Sequence, residues 1–157
     1  MTVSAEPENA GVIARPPVLF TTAFVLGFLF ELLVPTSFGS GLSVPALGLA
    51  LGLAGFGLMA FAMRYFRLAG TRIETYLPST ALVTAGPYQF SRNPIYVALT
   101  LIYAGLALAI DAVWPLAVLP LLLVVLHFGV IRREEAYLEA KFGDAYHAYR
   151  ARVRRWV

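Results

Sequence analysis

Four long apolar segments restrict this chain to a membrane class more firmly than any other feature of its sequence. They cover about residues 17–34, 44–63, 94–110 and 113–131. A helix needs roughly 20 apolar residues to cross a hydrocarbon core of about 30 Å, and these segments reach or approach that length. Charged residues make up only 13% of the chain, whereas soluble domains carry about a quarter. The sequence therefore predicts an all-α integral membrane protein with about four transmembrane helices.

Residues inside and between these segments predict how the helices pack and turn. Glycines between residues 48 and 57 would let the second helix approach a neighbour closely. Pro94 suits the first turn of the third helix, where its missing N–H would be unpaired anyway. Asp111 marks a tight turn before the fourth segment, so the third and fourth helices are expected to form a hairpin. Pro120, inside the fourth segment, predicts a kink.

The basic residues predict the orientation of the chain in the membrane. If the N-terminus is cytosolic and each segment crosses once, every lysine and arginine faces the cytosol. These residues are Arg15, Arg64, Arg67, Arg72, Arg92, Arg132, Arg133, Lys141, Arg150, Arg152, Arg154 and Arg155. Because cytosolic loops of membrane proteins accumulate positive charge, we expect both termini to be cytosolic. The same distribution explains the net charge of +3 without a nucleic-acid partner.

The chain begins with a polar, acidic stretch. We expect residues 1–15 to be disordered and not to act as a signal peptide. Residues 16–157 are expected to form a single domain. The sequence contains no cysteine, which excludes disulfides, thiolate nucleophiles and cysteine-based metal sites. Its two histidines, His127 and His147, are isolated from each other, so no metal site is predicted.

Polar residues gather before the third segment and after the fourth. The first cluster covers residues 82–96; the second begins at Arg132 and continues through Glu134 and Glu135 into an amphipathic tail interrupted at Gly143. Because the intervening helices form a hairpin, both clusters meet at the cytosolic face. Two interpretations remain open at this point. The clusters either bind a polar ligand beside an apolar substrate, or they anchor the chain at the lipid headgroups, where Tyr and Arg are common.

The order of residues in these clusters resembles a known family. From Leu82 to Tyr96 the chain reads Leu-Val-x-x-Gly-Pro-Tyr-x-x-x-Arg-Asn-Pro-x-Tyr. A Glu-Glu pair follows the hairpin, and Phe-Gly-x-x-Tyr-x-x-Tyr begins at Phe142. Over about residues 64–155 these blocks resemble the isoprenylcysteine carboxyl methyltransferase and phospholipid methyltransferase superfamily. The resemblance implies an integral membrane enzyme that uses S-adenosylmethionine.

The resemblance also implies roles for individual residues. The cofactor pocket would be formed by Thr80, Ala81, Leu82, Val83, Tyr88, Asn93, Pro94, Ile95, Tyr96 and Glu134. As catalytic hypotheses, Arg92 would steady an anionic substrate or headgroup, and Glu135 would accept a proton. Prenylcysteine enzymes carry a substrate-contacting arginine four residues before the first glutamate, where this chain has Val130. This difference questions prenylcysteine as the substrate but not methyl transfer.

The sequence thus predicts methyl transfer from S-adenosylmethionine to a lipophilic small molecule or lipid, similar to isoprenylcysteine carboxyl O-methylation. N- or S-methylation of such an acceptor is the nearest alternative. A second alternative is a small four-span transporter that couples through Glu31, although the position of Glu31 near Pro35 favours a solvated helix end. A third is a sterol-type reductase that binds NADPH. The expected location is the plasma (inner) membrane, with membrane lipids as partners and a cytosolic active site.

Overall fold

The computed structural model describes residues 9–39, 41–71 and 78–157. Its helices are α1 (Pro16–Leu33), α2 (Ser43–Leu68), α3 (Pro94–Ala109), α4 (Val113–Leu126), α5 (Arg132–Phe142) and α6 (Asp144–Arg152). A 3₁₀ turn over Gly86–Gln89 precedes α3, and a π-helical turn over His127–Ile131 joins α4 to α5. These ranges contain no strand, so the prediction of an all-α fold is confirmed.

Three stretches among the described residues are long and apolar enough to cross a membrane. They are α1, α2 and the continuous helix Val113–Phe142. Helix α3 is apolar but shorter, with 16 residues. The helices follow the predicted segments closely, although α2 continues past residue 63 to Leu68. Many large apolar side chains of α1 and α2 are exposed, as expected of helices that face lipid. The count of four spans and the cytosolic location of both termini stay predictions.

Small residues bring the helix backbones together in two antiparallel pairs, α2 with α3 and α1 with α4. A Cβ atom on Gly105 of α3 would lie 2.4 Å from the backbone nitrogen of Gly52 in α2. A Cβ atom on Gly27 of α1 would lie 2.6 Å from the Cα atom of Pro115 in α4. Any side chain at either position would force the helices apart. The close approach predicted for the glycines of the second segment is therefore confirmed.

The carboxylate of Glu31 connects the end of α1 to the start of α4. Its Oε2 atom accepts hydrogen bonds from the backbone N–H groups of Val113 at 2.8 Å and Trp114 at 3.1 Å. Its Oε1 atom accepts a hydrogen bond from the Thr36 hydroxyl at 2.7 Å. The first N–H groups of a helix lack partners inside the helix and attract negative charge. Glu31 therefore caps α4, which agrees with its interpretation as a helix-end residue.

Asp111 forms the turn between α3 and α4 that the sequence predicts. Its φ of 55° lies in the left-handed region, which Asp adopts more readily than most residues. The Asp111 carboxylate accepts hydrogen bonds from the Ser37 hydroxyl and from the backbone N–H of Phe38. This end of the bundle, with Glu31 and Asp111, is called the Asp111 end below.

The opposite end of the bundle, with Arg92, Arg133 and Arg155, is called the arginine-rich end. There the segment before α1 packs on the π-helical turn, because the backbone N–H of Ile13 donates to the Gly129 carbonyl at 3.1 Å. Arg133 donates to the carbonyl of residue 11 at 2.7 Å. This part of the segment that we expected to be disordered is thus packed against the helices. Residues 1–8, and Arg72 from the topology prediction, lie outside the described residues.

Candidate active site

A cavity of about 660 Å³ lies at the arginine-rich end. It is bounded by the start of α1, the second half of α2, the loop before α3, and helices α5 and α6. Ligand pockets in proteins usually measure about 300–1,000 Å³. The cavity therefore has room for a molecule the size of a cofactor.

Glu134 in the first turn of α5 places a carboxylate in the wall of this cavity. The hydroxyl of Tyr96, in the first turn of α3, donates a hydrogen bond to Glu134 Oε1 at 2.6 Å. Tyr96 is itself buried, so this bond connects α3 to α5 in a place from which water is largely excluded. A carboxylate held in this way can accept further hydrogen bonds from hydroxyl or amine groups of a ligand.

Two tyrosines fasten α6 to the turn before α3. The Tyr149 hydroxyl donates to the backbone carbonyl of Tyr88 at 2.7 Å, and the Tyr88 ring packs edge-on against Phe66 of α2. Burial raises the pKa of both the Tyr88 and the Tyr149 phenol above its ordinary value. Both hydroxyls therefore stay protonated at physiological pH and remain hydrogen-bond donors.

Glu135 is the most enclosed carboxylate of the site, with 8% of its surface exposed. Arg155 holds it with two parallel hydrogen bonds, Nε to Oε1 at 2.9 Å and Nη2 to Oε2 at 2.7 Å. Arg92 adds an ion pair from Nη1 to Oε1 at 3.1 Å. Buried charges are tolerated when they are paired and hydrogen-bonded, and paired guanidinium N–H bonds to a carboxylate are among the strongest such contacts.

Two polar atoms of cavity-lining residues have no partner among the described residues. They are the hydroxyl oxygen of Tyr88 and the Nε atom of Arg92, both enclosed by protein. A buried donor without a hydrogen bond costs about 1–3 kcal/mol. A ligand in the cavity would pair with either atom only after the surrounding side chains shift.

Much of the remaining wall of the cavity is apolar, although Arg15 and Ser79 also line it. Met59, Met63 and Phe66 contribute from α2, and Val18 and Leu99 contribute from α1 and α3. Met side chains are flexible and adapt to ligands of irregular shape. The cavity thus combines charged and hydroxyl groups with an apolar surface, so a polar molecule and a lipophilic one could bind side by side.

Most of the residues expected in the site line this one cavity. They are Ala81, Leu82, Val83, Tyr88, Arg92, Asn93, Pro94, Ile95, Tyr96, Glu134 and Glu135. Thr80 is placed elsewhere: its hydroxyl donates to the Gly70 carbonyl at 3.1 Å, and its backbone N–H donates to Thr71 Oγ1 at 3.0 Å. Thr80 thus fixes the loop that carries the neighbouring residues and does not reach the cavity wall.

The structure adds cavity residues that sequence reasoning did not assign. Tyr137, Tyr146 and Tyr149 line the cavity, and the regular spacing of aromatic residues in the tail was a signal that could have found the last two. Met59 and Met63 gave no such signal, because α2 is apolar on all sides and its lipid-facing and cavity-facing residues look alike in sequence.

Comparison with protein families decides the relationship of this chain. The family model described as phospholipid methyltransferase matches residues 44–145. The chain belongs to the phospholipid methyltransferase family. An uncharacterized protein of Haemophilus influenzae is 52% identical over 42 residues, which are 27% of this chain and 65% of that relative's length. No solved structure gave a match.

The region matched to the phospholipid methyltransferase family contains all of the predicted site residues, from Thr80 to Glu135. It ends at residue 145, before Tyr149 and Arg155. The start of α1 also lies outside it. Some walls of the cavity are therefore built by parts of the chain that the family match does not cover.

Proposed function

We propose that the protein is an integral membrane methyltransferase that transfers the methyl group of S-adenosylmethionine to a lipophilic acceptor. One observation carries the proposal: in a chain of the phospholipid methyltransferase family, the polar clusters before α3 and in α5 line a single cavity. The cavity joins charged groups to an apolar wall, which suits a polar cofactor and a lipophilic acceptor.

The residues at the charged end of the cavity fit S-adenosylmethionine. Its carboxylate would be attracted by the Arg92 guanidinium, whose side chain lines the cavity. Its hydroxyl and amine groups would be donors for Glu134. When bound, this cofactor supplies a methyl group on a sulfonium that is already a good leaving group. The protein then contributes chiefly by orienting the reactants and excluding water.

The acceptor is best described as a carboxylate on a lipophilic molecule, with an amine or thiol as the second choice. A carboxylate reacts as the anion, which the Arg92 guanidinium at the cavity wall would steady. An amine must first lose a proton. Glu135 is the proposed acceptor, and it would have to give up a bond to Arg155 or Arg92 to take the proton. Where prenylcysteine enzymes have an arginine, this chain has Val130, and its side chain is completely buried in the core. The chemistry is proposed to resemble isoprenylcysteine O-methylation on another acceptor.

The acceptor is proposed to reach the cavity from the bilayer on the cytosolic side of the plasma (inner) membrane. Helix α1 packs on α4, while α2 packs on α3. The first turn of α1 and the second half of α2 both line the cavity. The apolar side chains Val18, Met59 and Met63 at this place suit a lipid chain.

The first experiment is calorimetric binding of S-adenosylhomocysteine to the purified protein in nanodiscs. We expect saturable binding by the wild type and a loss of about tenfold or more in affinity for Glu134→Gln. Glu139→Gln is the matched control, because Glu139 lies on the same helix but pairs at the surface with His147 and Arg150. Folded wild-type protein that binds no S-adenosylhomocysteine would contradict the proposal, and NADPH binding in its place would support the reductase alternative.

The transporter alternative receives no support from Glu31. Both oxygens of this carboxylate are occupied by hydrogen bonds that cap α4. A transporter would still predict that Glu31→Gln abolishes flux while Glu134→Gln spares it. The methyltransferase proposal predicts that Glu134→Gln strongly reduces methyl transfer, while Glu31→Gln spares it.

A further inference from the structure

The C-terminal segment, residues 153–155, is fastened to the site through its backbone. The backbone N–H of Arg92 donates to the Arg154 carbonyl at 2.9 Å. The side-chain amide of Asn93 donates to the Arg155 carbonyl at 2.9 Å. Both donors belong to the cavity-lining loop before α3. Just beyond this segment, Trp156 packs against the core formed by α1, α3 and the π-helical turn.

The side chain of Arg155 fastens the same segment to α5. It occupies both oxygens of Glu135, a carboxylate that is almost completely enclosed. Arg155 therefore connects three parts of the chain: the C-terminal segment, the loop before α3 and the acidic pair of α5. The contact with Glu135 requires the arginine side chain. The contacts with the loop before α3 use the backbone carbonyls of residues 154 and 155, which any residue would provide.

The position of Arg92 depends on this arrangement. Arg92 shares Glu135 Oε1 with Arg155, and its Nη1 also donates to the Tyr146 hydroxyl at 3.4 Å. With Glu135 also held by Arg155, Arg92 keeps its place among the residues that line the cavity. Without Arg155, the enclosed carboxylate would have Arg92 as its remaining cationic partner, and the stronger attraction would pull the guanidinium away from its place.

We infer that Arg155 is a positioning residue, which fastens the C-terminal segment to the cavity-lining loop and keeps Arg92 in its place in the cavity wall. The effect on ligand binding rests on the proposed function, whereas the fastening of the segment does not. Arg155 lies outside the matched family region, so the inference comes from the contacts of this chain. It assigns a task to a residue that the sequence places only among the basic residues expected at the cytosolic face.

The test uses full-length protein in nanodiscs with two readouts. The chain has two tryptophans, so a Trp114→Phe background leaves Trp156 as a fluorescent reporter beside Arg155. In this background Arg155→Ala should shift Trp156 emission to longer wavelength and increase its quenching by iodide. The same substitution should weaken S-adenosylhomocysteine binding by about tenfold to a hundredfold.

Two variants separate positioning from a general loss of structure. Arg154→Ala is the matched control, because its side chain is exposed and its carbonyl, which binds Arg92, remains; both readouts should match the background protein. Adding Glu135→Gln to Arg155→Ala removes the buried charge that would draw Arg92 from its place, so part of the lost affinity should return. Arg155→Lys should give an intermediate affinity, since an ammonium cannot form the two parallel bonds.

The outcomes are distinct for the two proposals. Unchanged Trp156 fluorescence with affinity within twofold of the background, for Arg155→Ala, would overturn the inference. Equal losses in Arg155→Ala and Arg154→Ala, or no recovery on adding Glu135→Gln, would also overturn it. If the wild type binds no S-adenosylhomocysteine, the proposed function fails, and the Trp156 readout alone then decides whether Arg155 fastens the segment.

Discussion

Carboxylates connect the helices at both ends of the bundle, but their partners differ. At the Asp111 end, Glu31 receives hydrogen bonds from three backbone N–H groups and the Thr36 hydroxyl. At the arginine-rich end, Glu135 is held by the guanidinium groups of Arg92 and Arg155. The first arrangement uses donors that every chain possesses, whereas the second uses two charged side chains.

The difference separates a carboxylate that caps a helix from one that belongs to the candidate active site. The bonds to Glu31 satisfy orphan donors at the start of α4, so the arrangement is complete without a ligand. At the arginine-rich end, two enclosed donors of cavity-lining residues, Arg92 Nε and the Tyr88 hydroxyl, have no acceptor among the described residues. The polar groups of that end are thus not all satisfied, and they surround the cavity in which we propose that a ligand binds.

Among the substitutions that test this difference, Arg92→Ala should have the largest effect. Arg92→Ala takes away one unpaired donor and one cation beside Glu135, so we expect methyl transfer to fall about a hundredfold or more. Transfer of a radioactive methyl group to a membrane lipid extract measures the effect. Arg133→Ala, an exposed arginine of α5 that lies outside the cavity wall, is the control. Equal activity in Arg92→Ala and wild type would remove the catalytic role of Arg92.

Each end of the bundle has a hydroxyl that donates to a carboxylate, so removing one hydroxyl at a time tests whether the two ends act separately. Tyr96 donates to Glu134 at 2.6 Å, and Thr36 donates to Glu31 at 2.7 Å. Tyr96→Phe should weaken S-adenosylhomocysteine binding about tenfold by releasing the Glu134 carboxylate, as measured by calorimetry. Thr36→Val, which removes the matching hydroxyl at the other end, should leave this affinity unchanged. A similar loss of affinity in both variants would show that the two ends do not act separately.

Glu31→Ala should affect stability and spare binding. The substitution uncaps α4 and should lower the free energy of unfolding, because the first N–H groups of α4 lose their acceptor. Thermal unfolding in detergent should therefore shift to lower temperature, while the S-adenosylhomocysteine affinity of the folded protein stays the same. Glu139→Ala, which removes a carboxylate from surface ion pairs, should change stability much less. Loss of binding in folded Glu31→Ala would contradict the assignment of this carboxylate to capping.

Sequence patterns predicted the helices well because each helix depends on its own run of apolar residues. The bounds of α1, α3 and α4 fall close to the predicted segments. The extension of α2 to Leu68 was not predicted, since Arg64 and Arg67 interrupt the apolar run. There the chain continues as a helix because Phe66 and Tyr65 pack against the residues around Tyr88.

The candidate site was partly predictable for a related reason. Its two polar clusters are local in sequence, and the hairpin of α3 and α4 explains why they meet. The partners of those clusters are distant: Arg155 reaches Glu135 across the length of α5 and α6, and Glu31 reaches Val113 from another helix. No spacing rule connects such residues, so the role of Arg155 and the capping by Glu31 needed the folded structure.

Substitution of Asp111 should have the smallest effect, and it tests how the turn at the Asp111 end contributes to stability. Asp111→Gly removes the hydrogen bonds to Ser37 and Phe38, but glycine adopts a φ of 55° without strain. The lost bonds and the relieved strain oppose each other, so the free energy of unfolding should fall by less than about 1 kcal/mol. Asp111→Ala loses the same bonds without the conformational relief, and its thermal unfolding should occur at a lower temperature than that of Asp111→Gly. The reverse order would mean that the left-handed φ of this turn carries little strain, because both variants lose the same hydrogen bonds.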